Sequence, residues 1–186
     1  MIKKHLKDLA IELRAELGTG PFDIFNPYAL AKLYGVPVVH LNDLNCSAAA
    51  KEYFAGAGVS ALSGALIPLQ DGSAIILENA AHAPERRRAT ISHELAHLIL
   101  EHRFDTRLVD QRGCRVADGE QEQEAAELGA ELLLPAVAAL ARARRQASDE
   151  DVAAAFGVSV ELAAWRLNGT GARKRADRER RRRLEH

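Results

Sequence analysis

Apolar residues at Ile2, Leu6, Leu9, Leu13 and Leu17 recur every three or four positions and predict a helix over residues 2–17, stopped at Gly18. Asn26-Pro27 reads as a cap followed by proline in the first helical turn, opening a short helix that Gly35 closes. The apolar run VPVVHL (36–41) predicts a strand, and the small-residue stretch 42–60 predicts a loop. Two more strands are expected near 62–69 and 73–77, joined by Gln70-Asp71-Gly72 as a hairpin turn. Pro84 opens a long helix and residues 103–118 read as irregular. Further helices are expected from about Gly119 to Leu134, over 136–146, from Ser148 to Gly157 with Asp151 completing a capping box, and from Ser159 to Leu167. There are no internal repeats. The pattern predicts an α+β, mostly helical single domain at residues 1–171, with a small sheet beside the long helix, followed by a tail at 172–186.

The long helix carries ATISHELAHLILEH (89–102), where charged and imidazole groups interrupt an otherwise apolar surface. Positions four apart on a helix are rotated by about 40° and separated by about 6 Å. His93 and His97 therefore stack on one face, where two imidazole nitrogens converge on one ion. Glu94 is rotated by about 100° and flanks the ion without ligating it, as the base of an H-E-x-x-H peptidase does. Ile91, Leu95, Leu98 and Ile99 fall on the other side as core.

A catalytic metal needs a third protein ligand. Leu100 and Arg103 stand where a metzincin would place Gly and His, and His102 falls on the back of the helix, so a second helix must supply it. In GEQEQEAAELGAELLLP, centring the buried face on Leu128 makes Glu124 the best-placed carboxylate and Glu131 the second, with Glu122 pointing outward. Ala125, Ala126, Gly129 and Ala130 leave room for close helix approach. Arg166, His40, Tyr34 and Tyr53 are candidates for stabilising an oxyanion, and strand 62–69 for pairing with substrate backbone.

These segments resemble the ImmA/IrrE family of zinc metallo-endopeptidases over about residues 22–168. FDIFNPYALAKLYGVPV, SGALIPLQDGSAIILEN, RRRATISHELAHLILEH and VAAAFGVSVELAAWRL carry the resemblance, and QEAAELGAELLLP is similar to the family's E-A-N-x-F-A-A-x-L-L-M-P. Ala126 stands where the family prefers Asn, Leu128 where it prefers Phe, and Ala96 where it prefers Gly. The resemblance implies one Zn2+ per chain on His93, His97 and Glu124, Glu94 as base, and cleavage of a helix-turn-helix repressor. It also implies a zincin-like fold in its compact form, without a sensor domain.

Composition changes this picture little. The 186 residues are 47 % hydrophobic and 27 % charged, and no run is long enough to span a membrane. Asp8, Glu12 and Arg14 interrupt any signal-peptide core, and Cys46 and Cys114 read as free thiols of a cytoplasmic protein rather than ligands. Charge is uneven. Residues 172–186 hold eight Lys/Arg against three acids, a net +5 that leaves −6 on the rest. This tail is expected to be disordered or frayed helix, with weak nonspecific nucleic-acid binding at most, and Leu184-Glu185-His186 resembles a tag. The alternative function is a DNA-binding regulator that uses residues 148–168 and the tail, with a structural or vestigial metal site. Against it, the second helix of that pair offers one basic group, Arg166, for reading bases.

Overall fold

A computed structural model describes residues 3–102 and 119–185. Among these residues the chain is mostly helical with a three-stranded sheet, an α+β domain. Helix α1 (Lys4–Glu16) uses the predicted repeat and buries Leu6, Ala10 and Leu13. In α2 (Pro27–Leu33) the Asn26 side chain accepts from the N–H groups of Tyr28 and Ala29, and proline occupies the first turn. Strands β1 (Val38–His40), β2 (Gly64–Pro68) and β3 (Ala74–Glu78) lie in the order β1-β3-β2, with β1 parallel and β2 antiparallel to β3.

The register decides what β2 offers. Asn79 N–H bonds Ser63 O and Leu69 N–H bonds Ser73 O. Pairing alternates along an antiparallel ladder, so odd-numbered residues of β2 bond β3. Gly64 and Leu66 therefore point their backbone groups away from the sheet, along its free edge. That edge lies against α4 (Pro84–Ile99), and a Cβ on Gly64 would sit 2.5 Å from Thr90 Cγ2.

Helix α5 (Gly119–Leu133) packs on both α4 and α1. It approaches α4 at Gly129, where a Cβ would stand 3.1 Å from the backbone of Ser92 and His93, as the small residues of this segment lead one to expect. Beyond it run α6 (Ala136–Arg144), α7 (Asp149–Phe156) and α8 (Val160–Gly169). The Ser148–Asp151 capping box and the Ser159 cap both form as the sequence predicts. One core joins these elements, with Leu6, Phe25, Leu30, Ile76, Ile91, Leu95, Leu128, Leu132, Phe156 and Leu167 fully enclosed.

Two expectations are corrected. The stretch 42–60, expected as loop, contains α3 (Ala48–Ala55), capped by Ser47, whose side chain accepts from Ala50 N–H. It buries no residue, so it carries no apolar stripe for the sequence to reveal. The tail, expected to be disordered or frayed helix, forms a packed helix, α9 (Ala172–Leu184), against α6 and α8. Ala172 and Ala176 are buried, and Arg144 reaches both oxygens of Glu179 at 2.7 and 2.9 Å. Small residues one turn apart give this helix a contact face despite its charge. Cys46 is an exposed free thiol. The irregular segment expected at 103–118, and Cys114 within it, lie outside the described residues. Among the described residues no helix is long and apolar enough to cross a membrane.

Candidate metal centre

His93 and His97 project from α4 as predicted, with their Nε2 atoms 3.0 Å apart. The third group is Glu122. Its Oε2 lies 3.1 Å from His93 Nε2 and its Oε1 3.4 Å from His97 Nε2. One ligand atom from each of the three residues falls within 4.8 Å of the others. Ligands about 2.0 Å from a tetrahedral ion stand about 3.3 Å from one another, so these separations suit such an ion. Two imidazoles and a carboxylate are also the donor set of a catalytic zinc site.

Glu124 is not at this cluster, contrary to expectation. Its carboxylate accepts from Lys3 Nζ at 2.7 Å and lies 3.4 Å from His102 Nε2. The Lys3 hydrogen bond holds its carboxyl below the usual range, against the effect of burial, and His102 adds to the lowering. The reason is which face of α5 meets the histidines. Leu128 and Leu132 mark the most buried stripe, and Glu124 belongs to it. Gly129 marks the stripe that touches His93, and on that stripe Glu122 and Ala126 stand seven and three residues earlier.

Glu131, the second carboxylate considered, is paired with Arg166 inside the core. Glu131 Oε1 also accepts from Ala136 N–H at 2.8 Å, and Arg166 Nε donates to Leu134 O at 2.9 Å. Both residues hold α5, α6 and α8 together, and neither lines the groove at His93. His40 Nδ1 lies 2.9 Å from Glu78, Tyr34 bonds Glu16, and the exposed Tyr53 packs edge-on to Phe54. None of the four oxyanion candidates lines the groove at His93.

Glu94 is buried beside the cluster, and its Oε2 accepts from the outward-facing Leu66 N–H at 2.8 Å. A groove of about 1180 Å³ opens at His93 and Glu94 and runs past Gly64, Thr90 and Ala126 to the exposed Trp165 of α8. Arg86 sits on its lip, donating to Ser63 Oγ at 2.6 Å. Arg86, Thr90, His93 and His97 are spaced four, three and four apart, a helical stripe visible in the sequence that adds Arg86 to the oxyanion candidates.

His102 also differs from expectation. Helix α4 ends at Ile99 with Leu100 as its cap, and Glu101 takes a left-handed conformation (φ 53°). The chain turns back, and His102 Nδ1 comes to 2.9 Å from His97 Nδ1.

A mainly helical domain whose H-E-x-x-H helix faces a glutamate on a second helix has the make-up of a metallopeptidase. Residues 50–168 match the family described as the IrrE N-terminal-like domain, peptidase M78, and the chain belongs to that family. The solved structure of a Mycobacterium tuberculosis transcriptional regulator shares the fold, with a TM-score of 0.57 and 17 % identity over 89 % of this chain and 47 % of that one. This chain thus spans about half the length of that protein. No curated protein matches it.

Proposed function

We propose that this protein is a zinc-dependent endopeptidase in which His93, His97 and Glu122 hold the ion and Glu94 is the general base. The observation that carries the reading is the convergence of two imidazoles and a carboxylate within 4.8 Å, on the rim of a groove with a buried glutamate beside them. When bound, the metal supplies a Lewis acid that polarises a peptide carbonyl and acidifies a water. Glu94 takes a proton from the attacking water and delivers it to the leaving amine. The Leu66 N–H fixes one of its oxygens and so orients the carboxylate. Arg86 offers a guanidinium to carbonyl or acidic groups of a substrate lying in the groove.

The proposed substrate is a cytoplasmic helix-turn-helix repressor, a choice that rests on family membership rather than on the site. Gly64 lies on the free edge of β2 and on the groove wall, which supports the reading that substrate backbone passes there. The competing DNA-reading role for residues 148–168 is disfavoured by Arg166, the basic group of α8, which is 1 % exposed and committed to Glu131. The residues α8 leaves outside include Val160, Glu161 and Trp165.

The test is incubation of the zinc-loaded protein with a repressor encoded beside it. Cleavage should stop on chelation and return with zinc. Cleavage indifferent to chelator would overturn the reading.

A further inference from the structure

We infer that His102 and Glu124 are positioning residues: a hydrogen-bonded chain behind His97 that fixes the tautomer and orientation of its ring. The inference rests on His97 being a metal ligand, as proposed above.

The chain is built by the end of α4. Glu101 N–H bonds Leu98 O and His102 N–H bonds His97 O, each at 3.0 Å, with Glu101 left-handed between them. This is a Schellman closure, in which the second residue past the cap folds back onto the residue three before it. Those two positions usually carry an apolar pair. Here both carry imidazoles, with ring centres 5.0 Å apart. The left-handed position is filled by Glu101 rather than Gly, a conformation that costs a residue with a side chain more than it costs Gly. The side chains of His97 and His102 are 4 % and 6 % exposed, so water does not satisfy their nitrogens freely.

The proton positions then follow from one another. A neutral imidazole carries one N–H. If His97 presents Nε2 to the ion, its proton is on Nδ1, which faces His102 Nδ1 at 2.9 Å. His102 Nδ1 must accept, so the His102 proton is on Nε2, which faces Glu124 Oε2 at 3.4 Å. Glu124 is an acceptor, anchored in turn by Lys3. Each link permits one direction of donation, and the directions agree along the whole chain. Metal-bound histidines commonly donate their second N–H to a carboxylate or carbonyl. Here a second imidazole stands between, because Glu124 lies on the α1-facing stripe of α5 and cannot reach His97 itself.

The test compares wild type, His102→Leu, His102→Asn, Glu124→Gln and Glu122→Gln. Zinc affinity is read by chelator competition, and side-chain tautomers by nitrogen NMR at a pH well above the ordinary imidazole value. Thermal melting checks that each variant is folded. Wild type should show His97 protonated at Nδ1 and His102 at Nε2, with or without metal. His102→Leu and Glu124→Gln should still bind one zinc at saturation, with affinity lower by about 10–100-fold. His102→Asn, which keeps an acceptor at the Nδ1 position, should recover most of that loss. Unchanged affinity in both His102→Leu and Glu124→Gln, or the opposite tautomers in wild type, would overturn the inference. Loss of stoichiometric zinc in Glu124→Gln, with Glu122→Gln unaffected, would make Glu124 a ligand and also overturn it. A wild-type protein that takes up no zinc would refute the proposed function, and the metal-free spectra would still decide the chain.

Discussion

Glu94 Oε2 accepts a hydrogen bond from the backbone N–H of Leu66 at 2.8 Å, tying the proposed base to the free edge of β2. The ladder sets this contact. Even-numbered residues of β2 turn away from β3, and Leu66 is the one that meets Glu94.

Glu94→Gln should therefore keep the fold and the metal while losing the proton acceptor. Cleavage of a cognate substrate is expected to fall about 10²–10⁴-fold, with zinc content unchanged. Undiminished turnover by this variant would remove Glu94 from the mechanism.

The Arg166–Glu131 pair joins α5 and α8 in the core, where an uncompensated charge is costly. Arg166→Met should destabilise the protein by about 3–5 kcal/mol in denaturant unfolding. Glu131→Leu/Arg166→Met should recover a good part of that loss, because neither charge is then left alone. A near-neutral single variant would contradict the structural role given to the pair.

Burial pushes the Glu78 carboxyl up, but hydrogen bonds from Arg87 and Tyr28, together with the Arg87 and His40 charges, outweigh it. Its folded value lies below the ordinary value of 4.5. The stability it confers is present above that ordinary value and is lost as pH falls through the folded one. Wild type should be more stable than Glu78→Gln at neutral pH, and the gap should close in acid. Unfolding midpoints of both proteins, followed from neutral to acid pH, check this. A gap that widens in acid would reverse the sign.

Much of this was legible in the sequence, for local reasons. Asn26, Ser148 and Ser159 cap the helices they were expected to cap, because a side chain bonding the next turn needs no distant partner. His93, Glu94 and His97 were legible because four-residue spacing is a property of one helix. What failed was relative placement. Choosing Glu124 over Glu122 required knowing which face of α5 meets α4, and apolar weight pointed to the face that meets α1. His102 was misplaced because the helix ends at Ile99, three residues before it, and the turn that follows carries a Glu at the left-handed position where Gly would have announced the stop. The packing of α9 was not legible because its contact face is two alanines within a run of arginine.

Whether His93, His97 and Glu122 together hold one catalytic metal ion is decided by elemental analysis of purified wild type, Glu122→Gln and His93→Ala/His97→Ala. About one zinc per chain is expected in wild type, bound cooperatively with the fold, and its loss in both variants. Stoichiometric zinc retained by the double histidine variant, or by Glu122→Gln, would contradict it.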